Sequence, residues 1–170
     1  MIRNLLICTA TDVLYPCDVS RLPVMTVIPG VRSFVVEACV ERPVGAEGVL
    51  LAQGSNNVGL SLFVQGDYLL FDYNIFHDHH IIRSLYPLPV GDSRLGVHFS
   101  RDGSTGTATL LVGGSPEGSM DVPFVVRMLG SAGMDVGRDA YSPISDLYEG
   151  PFPFQGALHE LVTVSYTHLR

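Results

Sequence analysis

The chain has 170 residues, a length that suits one domain with a sizeable core, because 46% of its residues are hydrophobic and only 16% are charged. Ten basic and 17 acidic residues give a net charge of −7. This argues against a nucleic-acid or anionic-membrane partner, since phosphate groups require a basic surface. All ten basic residues are Arg, which excludes chemistry that needs a lysine amine, and Trp is absent.

The first 30 residues are predicted to be an extended segment outside the domain. Pro16, Pro23 and Pro29 interrupt any regular element there. The apolar run at 5–8 is too short for a transmembrane helix, and no signal-peptide cleavage site follows it. We therefore expect a linker over residues 1–30, a β-sandwich domain over 31–164, no membrane segment and a cytoplasmic location.

Short strands separated by Gly, Pro, Asn and Asp dominate the rest of the chain. Apolar and polar residues alternate with the strand period of about two, and no segment shows a helical stripe longer than about two turns. The predicted strands cover 33–40, 48–53, 60–65, 68–73, 80–84, 94–99, 107–112, 124–126, 134–136 and 157–164. This pattern predicts an all-β fold in which two antiparallel sheets pack face to face as a jelly-roll sandwich.

A histidine-rich stretch follows the predicted hairpin at 59–74. His77, Asp78, His79 and His80 offer metal-ligating atoms, and on an extended strand His77 and His79 would share one face. Two ligands do not make a metal site, and the sequence identifies no third. The simpler interpretation is a polar loop, and the role of the three histidines is left open.

An acidic loop is the first candidate for ligand or interdomain contact. Asp135 and Asp139 flank Arg138, and their carboxylates would hold the guanidinium as a fixed fork of donors. With Asp146 they also suggest a Ca²⁺ site at a loop end, but calcium needs about six or more oxygens. A solvated turn with an Asp–Arg pair is the alternative that we prefer.

A segment with two phenylalanines is the second candidate. Phe152 and Phe154 alternate with Pro151 and Pro153, and this spacing predicts that both rings lie on one side of an extended segment. The predicted contact surface therefore contains Asp135, Arg138, Asp139, Phe152 and Phe154. The alternative is that both rings point into the core. We predict no catalytic residue and no metal ligand in this chain.

Four stretches together resemble the C-terminal region of bacterial type I arylsulfatases, members of the sulfatase family. They are the proline-spaced segment 14–34, GAEGVLLAQG at 45–54, the hairpin at 59–74, and MDVGRD followed by PFPFQG within 134–156; GTATL at 106–110 also matches. The resemblance covers about residues 14–164. It implies a concanavalin A/laminin G-like sandwich attached in cis to a sulfatase catalytic domain that this chain lacks, with residues 1–30 as the remnant of the connection.

The same resemblance implies where the chemistry of such an enzyme resides. Formylglycine and Ca²⁺ would belong to the missing catalytic domain, so no cofactor is expected here. Cys17-Asp18-Val19-Ser20-Arg21 is similar to the family's Cys-x-Pro-x-Arg signature, but Val19 replaces the required Pro. We interpret that match as accidental. Residues 165–170 are similar to a translated sequencing-linker tail and are expected to be non-native or frayed.

Two functions remain open at this point. The first is an accessory domain of an arylsulfatase, inactive alone, whose parent enzyme hydrolyses sulfate monoesters. The alternative is a free-standing lectin-like carbohydrate-binding module, which would need an aromatic platform beside polar loops. Tyr68, Tyr73, Tyr86 and Tyr141 are available but do not cluster in the sequence. A sandwich glycoside hydrolase ranks last, because no strand carries its paired carboxylates.

Overall fold

The computed structural model describes residues 6–14, 32–126 and 133–168, with only the backbone described at 6–14 and 167–168. This part of the chain is built from strands, loops and turns. The strands are β1 (Leu6–Leu14), β2 (Ser33–Arg42), β3 (Gly48–Gly54), β4 (Val58–Gln65), β5 (Tyr68–Ile75), β6 (Asp78–Arg83), β7 (Gly91–Asp102), β8 (Thr105–Val112), β9 (Ser115–Val122), β10 (Met134–Val136) and β11 (Ala157–His168). Within the described residues, no helix is long and apolar enough to cross a membrane.

These strands form two antiparallel sheets. The six-stranded sheet has the order β1-β11-β2-β7-β8-β9, and the five-stranded sheet has the order β10-β3-β4-β5-β6. Neighbouring strands in both sheets run antiparallel. The all-β two-sheet sandwich predicted from the alternation is confirmed.

The main core lies between the inner faces of the two sheets. On β2 the apolar residues Val36 and Ala38 point inwards and are fully buried, as the period-two pattern predicts. Three aromatic rings join the sheets, because Phe99 stacks on Phe34 at a centroid distance of 5.1 Å and on Tyr73 at 5.4 Å. Burial raises the pKa of Tyr73 to about 12, so its hydroxyl stays neutral and accepts a hydrogen bond from a backbone N–H.

A long irregular segment covers the outer face of the five-stranded sheet. This covering segment, residues 137–156, follows β10 and crosses the start of β3, where a Cβ on Gly48 would clash with the carbonyl of Pro153. A second, smaller core results beneath it. Its buried members are Val49, Ala52, Phe63, Leu70, Ile144 and Tyr148. The segment therefore belongs to the packed domain although it has no strand periodicity.

Some elements differ from the sequence-based expectations. β9 lies at a sheet edge and is polar, with Pro116 and Gly118 in it, so it has no strand pattern to recognise. Residues 124–126 are not a strand, and β6 begins at Asp78 rather than at residue 80. The sheet also extends beyond the predicted limits of 31 and 164, because β1 pairs with β11 and β11 runs to His168. That residues 1–30 join a catalytic domain stays a prediction.

Candidate functional site

Three loops meet at one end of the sandwich, and we call this the aromatic end: Asn56, Asn57, Phe76, His77, Tyr141 and Ser142. Residues 55–57 connect β3 to β4, residues 76–77 connect β5 to β6, and residues 141–142 belong to the covering segment. The amide of Phe76 donates to the carbonyl of Asn57 at 2.6 Å. The amide of Asn56 donates to the hydroxyl of Ser142 at 3.2 Å. These contacts place the three loops side by side.

One buried side chain fastens the three loops together. Asn74, near the end of β5, has no exposed surface. Its Nδ2 donates to the carbonyl of Asn56 at 2.7 Å and to the carbonyl of Ile144 at 3.0 Å. Its Oδ1 accepts from the amide of His77 at 2.9 Å. Because a side-chain amide both donates and accepts, one residue satisfies backbone groups of all three loops.

Two aromatic rings project from this end into solvent. Phe76 is 70% exposed and Tyr141 is 72% exposed. Phe76 and His77 form the two-residue turn between β5 and β6 with φ values of 53° and 67°. Such a turn normally contains Asn-Gly, because positive φ is costly for bulky side chains. A strained and exposed Phe at this position marks a candidate binding residue.

A buried hydrogen-bond chain supports the loop that carries Tyr141. The Tyr148 hydroxyl donates to Asp139 Oδ2 at 2.8 Å and lies 2.8 Å from the Ser61 hydroxyl of β4. Asp139 Oδ2 also accepts from the amide of Ile144 at 2.9 Å. Burial, and then the negative charge of Asp139, raise the pKa of Tyr148, so this residue is a neutral donor. The covering segment is thus held on the sheet by polar as well as apolar contacts.

The two predicted acidic contact residues, Asp135 and Asp139, lie at this hydrogen-bond chain rather than around Arg138. Asp135 and Asp139 are buried, and Asp135 Oδ2 accepts from the amide of Ala140 at 3.0 Å. Arg138 is exposed between them. The two carboxylates therefore organise the backbone of the covering segment, and the solvated turn expected from the sequence is not what forms. A contact role for Arg138 stays a prediction.

The two predicted phenylalanines do not share one surface. Both are half-buried: Phe152 stacks on Tyr148 at 5.2 Å in the second core, whereas Phe154 packs against the main core. The expectation of two rings on one side fails because Phe152 has a φ of 38°, which breaks the extended alternation. The alternative, that the rings serve internal packing, matches these contacts.

The residues of the histidine-rich stretch also lie in different surroundings. His77 is exposed in the turn, whereas His79 lies in β6 and its Nδ1 is 2.8 Å from Asp72 Oδ2. His80 Nε2 lies 3.4 Å from a carboxylate oxygen of Asp78. In the described part of the chain these histidines do not belong to any group of three metal-ligating atoms within 4.8 Å of one another. The polar-loop interpretation holds for His77 and is wrong for Asp78, His79 and His80, which are on a strand.

A groove of about 690 Å³ on the outer face of the six-stranded sheet is a second candidate. Cys39 lines it and donates from Sγ to Glu160 Oε1 at 3.4 Å. Burial and this neighbour raise the pKa of the Cys39 thiol, so it is not a ready nucleophile. Near the groove, Glu41, Asp92 and His159 have ligand atoms within 4.8 Å of one another. All three are exposed, and exposed side chains alone do not define a metal centre.

Reasoning from the sequence missed Asn74 and Phe76. The only local signal is the dipeptide Phe76-His77 at a position where a hairpin would favour Asn-Gly. Asn74 gives no signal of its own, because two of its partners, Asn56 and Ile144, lie 18 and 70 residues away. Strand pairing and the path of the covering segment bring them together.

Comparison with known proteins finds similarity in structure alone. No protein-family model and no curated protein matches the chain. The heptameric SAP-like pentraxin of Limulus polyphemus matches with a TM-score of 0.55 and 17% identity, over 94% of this chain and 77% of that chain. Domains LG4-5 of the mouse laminin α1 chain match with a TM-score of 0.59 and 16% identity, over 88% of this chain and 39% of that chain. The CBM40 of the Ruminococcus gnavus IT-sialidase matches with a TM-score of 0.58 and 12% identity, over 96% and 95%.

These likenesses establish the fold as a concanavalin A/laminin G-like sandwich, as the resemblance implied. At identities of 12–17% they do not establish a function. They are also silent on the sulfatase family, so that part of the expectation stays a prediction.

Proposed function

We propose that this chain is a carbohydrate-binding module and that a sugar ring packs on Phe76 and Tyr141 at the aromatic end. The observation that carries the proposal is the pair of exposed rings on loops fastened by one buried side chain, Asn74. A pyranose has a face of C–H groups that packs on an aromatic ring. Loops that are already held in place lose little conformational entropy when a ligand binds.

Polar groups between the two rings complete the site. Asn56 and Asn57 are exposed and lie between the turn that carries Phe76 and the loop that carries Tyr141. Their side-chain amides offer donors and acceptors, which suit the hydroxyl groups of a sugar. The exposed imidazole of His77 adds a further polar contact. The resulting surface combines an apolar platform with hydrogen-bonding groups, as expected for a sugar site.

The fold is compatible with this proposal but does not decide it. The CBM40 of a sialidase has the same architecture over 95% of its length. The binding domain of botulinum neurotoxin serotype G also matches, with a TM-score of 0.54. The assignment to carbohydrate therefore rests on the aromatic end.

The test is a glycan array followed by calorimetric titration of the best ligand. We expect Phe76→Ala and Tyr141→Ala each to weaken binding about tenfold, because a ring contact contributes about 1.4 kcal/mol. Tyr86→Ala is the matched control, since Tyr86 is 68% exposed but lies outside the aromatic end. Retained affinity in the double variant Phe76→Ala/Tyr141→Ala, or an equal loss in Tyr86→Ala, would overturn the proposal.

The arylsulfatase accessory domain is the second candidate, supported by the resemblance of four sequence stretches; the comparisons add no support to it. Its partner would be a sulfatase catalytic domain in cis. The two functions are compatible, because a sugar-binding module beside a sulfatase would hold a sulfated polysaccharide. Sequencing the DNA upstream of Met1 tests it: a catalytic domain with Cys-x-Pro-x-Arg, in frame or shifted by one base, is expected, and unrelated DNA would exclude it.

A further inference from the structure

Three neighbouring strands of the six-stranded sheet bring together two carboxylates and one imidazole. Glu41 lies on β2, Asp92 on β7 and His159 on β11, and β2 is the middle strand of the three. One ligand atom from each side chain lies within 4.8 Å of the other two. Around a tetrahedral Zn²⁺ such atoms are about 3.4 Å apart, since each is about 2.1 Å from the ion. Small rotations of exposed side chains close a difference of this size.

The two carboxylates face each other across two strands. Glu41 and Asp92 are direct partners in the register of β2 and β7, and like charges in directly opposite positions destabilise a sheet. In the part of the chain that the structure describes, neither carboxylate takes part in an ion pair. A cation between them replaces this repulsion with attraction. The pair therefore costs stability by itself and stabilises the sheet once a metal ion binds.

A β-bulge in β11 adds the imidazole to this pair. The register of β11 against β2 shifts between Leu158 and Glu160, so His159 is the extra residue. Leu158 packs against the main core, whereas Glu160 accepts a hydrogen bond from Cys39 Sγ on the outer face. His159 lines the same outer groove as Cys39. Two consecutive residues, His159 and Glu160, thus lie on one face, which the ordinary alternation of a strand does not allow.

The groove of about 690 Å³ borders this triad. Asp92 and His159 line it, and the guanidinium-bearing Arg94 lines it as well. Three protein ligands leave at least one coordination position of Zn²⁺ for another molecule. Because two of the three ligands border the groove, water or a small ligand there can complete the coordination.

We propose that Glu41, Asp92 and His159 form a surface site for a divalent transition-metal ion, represented by Zn²⁺. The ligand set decides the class of metal, because Ca²⁺ and Mg²⁺ take oxygen ligands, whereas an imidazole nitrogen beside carboxylates suits Zn²⁺. The register, the bulge and the groove distinguish this triad from scattered exposed acidic residues.

This site goes beyond the proposed sugar-binding function and does not depend on it. It lies on the six-stranded sheet, whereas Phe76 follows β5 of the other sheet. It also departs from the sequence-based expectation of no metal ligand, because strand pairing brings together residues that are far apart in the chain.

Calorimetric titration of the full, chelator-treated chain with ZnCl₂ tests the site. We expect one Zn²⁺ per chain, and Glu41→Gln, Asp92→Asn and His159→Gln should each weaken binding at least about tenfold. The matched control is Glu160→Gln, which makes the same change of charge on the same face and should stay within about twofold of the wild type. Absence of Zn²⁺ binding in the wild type, or an equal loss in Glu160→Gln, overturns the proposal.

The thermal unfolding midpoint separates the loss of a ligand from damage to the fold. In the presence of chelator, Glu41→Gln and Asp92→Asn should raise the midpoint by about 1–3 °C, because either change removes the repulsion. With Zn²⁺ at about 100 times its Kd, the wild-type midpoint should rise by about 5–10 °C, and neither variant should show this rise. A rise of the same size in both variants would mean that the ion binds elsewhere.

Ring nitrogen shifts identify the ligand atoms directly. The ¹⁵N signals of the His159 imidazole should shift on addition of Zn²⁺ and stay in place on addition of the same amount of Ca²⁺. Cys39→Ser is the control for the groove, since its thiol is a possible zinc ligand, and it should leave the Zn²⁺ affinity within about twofold. Loss of Zn²⁺ binding in Cys39→Ser, or an unchanged His159 ring in the Zn²⁺-bound chain, overturns the assignment.

Discussion

At each end of the sandwich one buried polar side chain fastens the loops, but the two side chains differ in their chemistry. At the aromatic end the buried amide of Asn74 fastens three loops through two carbonyls and one backbone N–H. At the other end the guanidinium of Arg42, which is 2% exposed, donates to the carbonyls of Ala46, Leu88 and Pro89 and pairs with Asp67. In each case one buried polar side chain replaces hydrogen bonds that the loops would otherwise make to water.

The difference between them lies in charge. Arg42 only donates and needs a carboxylate nearby, so this end depends on an ion pair with Asp67. Asn74 is neutral, so the anchor at the end that carries Phe76 and Tyr141 works without an ion pair. The charged anchor is therefore expected to matter more for stability.

The largest effect is expected at the charged end. Arg42→Met removes donors from three backbone carbonyls and should lower the free energy of unfolding by about 3 kcal/mol. Urea denaturation monitored by Tyr fluorescence measures this change. Arg138→Met, at an exposed Arg, should stay within about 0.5 kcal/mol of the wild type. Similar losses in both variants would show that Arg42 is not an anchor.

A smaller loss is expected at the neutral end. Asn74→Ala removes the donor to the carbonyl of Asn56 and to the buried carbonyl of Ile144, and it should cost about 2 kcal/mol of unfolding free energy. It should also weaken glycan binding, because the loops that carry Phe76 and Tyr141 lose their common support. Denaturation and titration of the same sample measure both. Unchanged glycan affinity in a folded Asn74→Ala variant would show that Asn74 does not support the proposed sugar site.

The buried carboxylate of Asp72 gives a pH-dependent contrast between the sheet beneath the covering segment and the two ends. Its pKa is raised in the folded protein, chiefly by burial, so the folded state holds this proton more tightly than the unfolded state. The stability that protonated Asp72 contributes is present below its ordinary pKa of about 3.9 and is lost as the pH rises through the raised value. Asp72→Asn should therefore compare more favourably with the wild type at pH 8 than at pH 4, as measured by urea denaturation. A difference independent of pH would contradict this account.

The smallest expected effect has the opposite sign. Phe76→Asn places a residue that tolerates positive φ in the strained turn and should stabilise the chain by up to about 1 kcal/mol. The same change removes one ring and should weaken glycan binding about tenfold. His77→Asn changes the neighbouring turn residue and is the control for backbone strain, since it relieves a similar φ of 67° and leaves the phenyl ring of Phe76 in place. If Phe76→Asn lowers the free energy of unfolding, the idea that the turn is strained to present the ring of Phe76 is wrong.

The local alternation of apolar and polar residues, with the turn signals between them, was sufficient to predict most of the strands. The alternation of buried and half-buried residues on β2 and the turn at Gly66-Asp67 follow from side chains that lie next to each other in the chain. The same rule predicts the limits of β10 at 134–136. It misses β9, because an edge strand does not need an apolar face.

The direction in which side chains point was harder to predict from the sequence than the existence of the strands. The spacing of Phe152 and Phe154 indicates an extended segment, but the positive φ of Phe152 sends the two rings to different cores. Asp135 and Asp139 look like partners for Arg138 in the sequence, yet their carboxylates turn inwards to backbone amides. A segment without periodicity has no local rule that says which side is buried.

The sequence by itself determined an all-β sandwich and the inner faces of its strands, because a hydrophobicity period of two shows which face of a strand is buried. The tertiary structure alone decided that Asn56, Asn74, His77 and Ile144 meet, and that Phe76 and Tyr141 stand at the same end. Those neighbours depend on the pairing of β3, β4 and β5 and on the path of the covering segment. Contacts between residues as far as 70 positions apart arise from packing, for which no stretch of adjacent residues contains the information.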